Sequence, residues 1–137
     1  MAQNNAANYA TAIQAQLKTI AGAVPVYALF NRNFASESKF LTWQLRNVHQ
    51  DVYTGQNQNN KGIDRPVFQV SVYSQGMQDG FNLANAVIQA LHGYSGQFGG
   101  DNGFYIAKCD VAWLYNAYDN TINLHQIILD CTLDIPT

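Results

Sequence analysis

The sequence predicts an α+β fold: two helices packed on an antiparallel or mixed sheet, with a long β-hairpin closing the chain. Three observations support this. Apolar residues recur at helical spacing near the N-terminus and again after residue 80. Apolar and polar residues alternate with period two in the segments between and after those stretches. The resulting order is helix, two or three strands, helix, two strands, which is an α+β layout.

The first helix is expected over Asn5 to Ala21, where Tyr9, Ile13, Leu17 and Ile20 share a face opposite Gln14 and Lys18, and Asn4 or Asn5 serves as N-cap. Gly22 and Pro25 stop it. The apolar run Val26 to Phe30 reads as a short buried strand or a tight turn. In Phe40 to Val48, Leu41, Trp43 and Leu45 alternate with Thr42, Gln44 and Arg46, the pattern of a half-buried strand. Thr54 to Asp64, TGQNQNNKGID, is amide-rich and nearly free of aliphatic residues, so a mobile loop over about 54–65 is expected. After Pro66, alternation of Phe68, Val70 and Val72 with polar neighbours marks another strand.

The second helix is expected over Gly80 to His92, with Gly80, Phe81, Leu83, Ala84, Val87, Ile88 and Leu91 on one side and Asn82, Asn85 and Gln89 on the other. Its stop is His92 and Gly93. Turn residues come next in GYSGQFGGDNG. Two strands then appear, one with Tyr105, Ala107, Cys109, Val111 and Trp113 on a face and one with Ile127, Leu129, Cys131 and Leu133. YDNTIN between them makes a hairpin turn, and a turn centred near Asn120 sets Cys109 about opposite Cys131, a pairing that a two-residue slip undoes.

With 137 residues the chain suits one domain, 1–137, burying roughly two-thirds of its unfolded surface. It is 47% hydrophobic and only 12% charged, so it folds rather than remaining disordered. Its polarity comes from amides: 28 residues are Asn or Gln, and Glu37 is the only glutamate. The net charge of -2 and the scattered basic residues give no footprint for specific nucleic-acid binding. No secretory leader and no membrane-length apolar run is evident, so a soluble, non-secreted protein with no membrane partner is expected. Two cysteines, Cys109 and Cys131, without CxxC spacing, are expected to remain thiols.

No nucleophile-elbow, metalloprotease, phosphate-loop or dinucleotide motif occurs, and no enzymatic activity or cofactor is expected. His49, His92 and His125 with Cys109, Cys131 or Asp110 match no metal-ligand spacing, and packing or capping roles account for them better. Asp110 and Asp130 read as solvated surface carboxylates rather than an acid–base pair. Tyr73, Tyr94, Tyr105, Tyr115 and Tyr118 lack the basic groove that a nucleic-acid stacking platform needs, which leaves core or interface packing. Neutral amides and open strand edges suit contact with other protein.

Three segments then occur in order. RPVFQVSVYS spans Arg65 to Ser74, GFNLANAVIQALHGYSG spans Gly80 to Gly96, and a hairpin ends in HQIILDCTL at His125 to Leu133. From about Val24 to Leu133 this arrangement resembles the tail-completion family of tailed bacteriophages, also described as head-tail joining or tail-terminator proteins. The resemblance implies a structural virion protein without catalytic residues. It would assemble in the bacterial cytoplasm into a homo-oligomeric ring, a hexamer by that likeness, at the head-tail junction. Its partners would be the tail tube protein and a head-closure or connector protein. Tyr53, Gln56, Arg65, Tyr115 and Tyr118, in or beside expected loops, are the candidate contact residues. A head-closure or minor tail protein of the neck is the nearest rival, and a small ligand-binding α+β domain the more distant one.

Overall fold

The computed structural model describes residues 5–31, 37–52 and 62–136. Its elements run α1 (Ala6–Ala21), β1 (Val26–Ala28), β2 (Lys39–Val52), β3 (Gly62–Ser74), α2 (Met77–Leu91), β4 (Gly96–Phe98), β5 (Phe104–Ile106), β6 (Lys108–Asp119) and β7 (Leu124–Pro136). Five strands form one mixed sheet in the order β1-β2-β3-β7-β6, and β4 and β5 form a small second sheet. Only β1 and β2 are parallel in the large sheet. The α+β architecture with a terminal hairpin is therefore what the chain adopts.

Helix α1 begins where the cap was expected, with the Asn5 side chain accepting the Asn8 N–H at 2.9 Å. Its buried face is Tyr9, Ala12, Ile13 and Leu17. Helix α2 starts three residues earlier than expected, at Met77, because Gly76 caps it without a side chain and Asp79 meets its positive end. Gly80 is buried where that first turn crosses the sheet. A Cβ there would lie 3.3 Å from Ser74 Cβ and 3.5 Å from Ile127 Cδ1. At the other end His92 is the C-cap and Gly93 comes after it at φ 80°, a left-handed stop that glycine accommodates.

Strand β3 begins at Gly62, so residues 62–65 are ladder residues and not the end of a loop. Pairing with β2 (Gln50↔Asp64, His49↔Arg65) and with β7 (Ile63↔Pro136, Asp64↔Ile135) extends the strand past Pro66, since cross-strand partners outweigh weak local propensity. The earlier part of the expected loop, residues 54–61, lies outside the described residues.

Alternation is also interrupted before the hairpin. Phe104 and Ile106 are buried in β5, Tyr105 and Ala107 are exposed, and the chain breaks at Ala107 before β6 resumes with buried Cys109. Tyr105 and Cys109 thus do not share a face. The hairpin register is Cys109↔Leu133 and Val111↔Cys131, two residues from direct opposition of the cysteines. Both are buried free thiols.

Both helices cover one face of the large sheet, and the core they enclose includes Phe68, Val70, Val72, Leu129, Cys131 and Leu133. A hydrogen bond from the Tyr9 hydroxyl to the carboxylate of buried Asp64 ties α1 to β3. On the opposite face alternation places Phe40, which stacks on Tyr73 at 4.8 Å between centroids, and buried Ile128. Among the described residues no helix is long and apolar enough to cross a membrane.

Candidate interaction surface

The feature that stands out is the outer edge of β6. Two things cap its first half: the Gly93 N–H donates to the Cys109 carbonyl at 2.8 Å, and the Val111 N–H donates to His92 Nδ1 at 3.0 Å. The turn after α2 therefore closes the edge as far as Val111. Beyond it, from Trp113 to Asp119, no described element other than β7 and the hairpin turn hydrogen-bonds to the strand, and nearly every residue is exposed. Unmet backbone groups in such a stretch are a template for pairing.

Local sequence shapes this stretch. Trp113, Leu114 and Tyr115 are three consecutive large apolar residues, and the ladder shifts register between Trp113 and Tyr115, leaving Leu114 as the extra residue of a bulge. A bulge reverses the face of the residues beyond it, so Trp113 lies on the helix side and Tyr115 on the other. Trp113 leans edge-on against Phe81 of α2 at 5.5 Å. Tyr118 packs edge-on against His125 at 4.9 Å, and its hydroxyl donates to Asn123 Oδ1 at 3.4 Å. Exposure of Leu114, Tyr115 and Tyr118 is 49%, 54% and 47%, so local contacts leave these side chains largely uncovered, with Tyr118 on the helix side of the strand and Tyr115 on the other. The hairpin turn itself is firm: the Thr121 N–H donates to Asp119 Oδ1, and Asn123 takes the left-handed conformation.

Of the five candidate residues, Tyr115 and Tyr118 both lie on this open edge, within the strand and not in loops, but on opposite faces of it. Arg65 is elsewhere: it sits inside β3, and its Nε donates to Asp134 Oδ1 of β7 at 3.2 Å. Tyr53 and Gln56 lie outside the described residues. Sequence reasoning missed Trp113 and Leu114, having assigned Trp113 to a regular buried face. The signal was present, since WLY breaks period two, and such a break in an otherwise alternating strand marks a bulge.

The polar groups weighed for chemistry are dispersed. His92 accepts a backbone N–H, Asp110 pairs with Lys108 at 3.2 Å, and Asp130 pairs with Arg46 at 2.9 Å. Burial holds both thiols up: Cys109 is pushed to about 12, with Asp110 and Asp134 adding to the effect, and Cys131 rises well above its ordinary value. Among the described residues no group of three or more His, Cys, Asp or Glu is placed to hold a metal ion.

No family model and no curated protein sequence matches the chain. Solved structures do match it in shape. One is a chain of the virion of a native gene transfer agent particle, with TM-score 0.66 and 14% identity over 98% of this chain and 100% of that one. A second solved chain superposes with TM-score 0.68 and 14% identity over 98% of each. A third is from the sheath/tube terminator of an extracellular contractile injection system in its extended state, with TM-score 0.59 and 10% identity. There the whole of this chain spans 57% of the other. At such identities the likeness is one of fold.

Proposed function

We propose that this chain is a structural virion protein of a tailed bacteriophage, a tail terminator that forms a ring, a hexamer by analogy, at the head-tail junction. The observation that carries this reading is the end-to-end correspondence of fold with a virion chain and with part of a tube terminator, on a chain with Trp113, Leu114, Tyr115 and Tyr118 exposed along one edge strand. A ring subunit acts through geometry: its core is rigid and its rim meets copies of itself, the tail tube below and the head-closure or connector protein above. No chemistry is required of it, and neutral amide and tyrosine contacts avoid the desolvation cost of buried ions. The chain works as one α+β unit, and its contact set is Tyr53, Gln56, Arg65, Tyr115 and Tyr118.

The test is assembly of particles lacking this chain. Filled heads and finished tails should accumulate separately, and adding purified protein should restore joining. Complete, joined particles in its absence would overturn the reading, as would locating the chain at the distal tail end.

A further inference from the structure

On the edge of the sheet remote from β6 lies an open apolar groove of about 630 Å³, walled by Ala15 and Lys18 of α1, Tyr27 and Ala28 of β1, and Trp43. Its floor is held by Gln14, which accepts the Trp43 indole N–H and donates to the Val26 carbonyl at 3.2 Å. The Ala28 carbonyl is likewise taken, by the Phe30 N–H at 2.8 Å. With both outward carbonyls occupied, β1 cannot readily accept another strand, and the groove offers room for side chains instead.

We propose that the open stretch of β6 in one copy seats its Leu114 and Tyr115 in the α1–β1 groove of a second copy. This contact rests on the ring reading and names the surfaces that make the ring. The two patches differ and occupy opposite edges of one sheet, so each copy offers one of each. A contact of that kind is heterologous, and its repetition closes a ring when the rotation permits. Charge agrees with the pairing: Lys18 stands on the groove wall and Asp119 at the end of β6, and neither is ion-paired among the described residues. The bulge at Leu114 supports it too, because it leaves a large, half-exposed apolar residue out of the ladder within the uncapped stretch of the edge.

The experiment uses Leu114→Asp, which spoils the edge, and Ala15→Arg, which fills the groove, with circular dichroism as the check on folding. Sedimentation of each variant alone should show monomer where the unaltered chain assembles. Their equimolar mixture should give a 1:1 dimer of twice 15.2 kDa, because one intact contact remains. Independently, a short bis-maleimide should join the Ala28→Cys and Tyr115→Cys variants when they are mixed, the native thiols being buried. Dimers of Ala15→Arg alone would indicate symmetric β6–β6 pairing and overturn the proposal. Normal assembly of both variants, or no cross-link in an assembling mixture, would overturn it and leave the ring reading standing. Open filaments that depend on both surfaces would keep the contact and end the ring reading. An unaltered chain that stays monomeric at every concentration would overturn the contact.

Discussion

Single residues set the tolerances of this fold most clearly at Gly99. Its φ is +86°, its N–H donates to Gln16 Oε1 at 2.8 Å, and an added Cβ would lie 2.5 Å from Ala12 Cβ. Gly99→Ala should therefore cost on the order of 3 kcal/mol in urea unfolding, combining strain with overpacking. Gly93, at φ +80° with open space around it, is the control: Gly93→Ala should cost about 1 kcal/mol from backbone strain alone. Equal losses at the two sites would show that the α1 contact is unimportant. The thiols give a pH prediction. A folded-state value raised above the unfolded one stabilises fully below the ordinary 9.0, and that stability is lost as pH rises toward the value of about 12 at Cys109. Urea midpoints should fall steadily above pH 9, with half-buried Tyr73, also raised mainly by burial, adding to the loss at higher pH. Cys109→Ala should flatten this slope whatever it does to the midpoint at neutral pH.

At the scale of elements, α1 depends on its cap and its tether. Asn5→Ala removes the acceptor for the Asn8 N–H and should lower stability by about 1 kcal/mol, read from thermal unfolding. Tyr9→Phe keeps the ring against Phe104, 4.8 Å away, while deleting the hydrogen bond to the buried Asp64 carboxylate. It should cost about 1.5–3 kcal/mol, the range for hydrogen bonds to charged groups. An unchanged midpoint would mean that other partners of Asp64 suffice. The helices were readable because caps, stops and a 3.6 period are local properties: Asn5, Gly22 and Gly93 sit in sequence beside what they terminate. Where the cap carried no side chain, at Gly76, the start of α2 was misplaced by three residues. The strand limits at Gly62 and Ala107 were missed because partners distant in sequence determine them.

For the whole molecule, core and rim have separable roles. Leu129 is fully buried on β7, between β3 and β6, and Leu129→Ala should cost about 2–5 kcal/mol, a large share of the roughly 5–15 kcal/mol such a domain possesses. Tyr115→Ser, on the open edge, should leave the unfolding midpoint within about 0.5 kcal/mol yet weaken assembly. The comparison of midpoint with sedimentation separates the two roles. By itself the sequence determined the α+β class, both helices and the terminal hairpin. These arise from periodicity and local turn chemistry, which each segment carries within its own residues. Only the tertiary structure decided that Arg65 belongs to the sheet and is held by Asp134, and that the two cysteines sit two residues out of register. Only it showed that the uncapped edge begins at Trp113 and that a groove lies on the opposite side. Register, edge position and capping by a distant turn depend on which strands meet, and a one-residue bulge at Leu114 reverses every later side chain without altering composition.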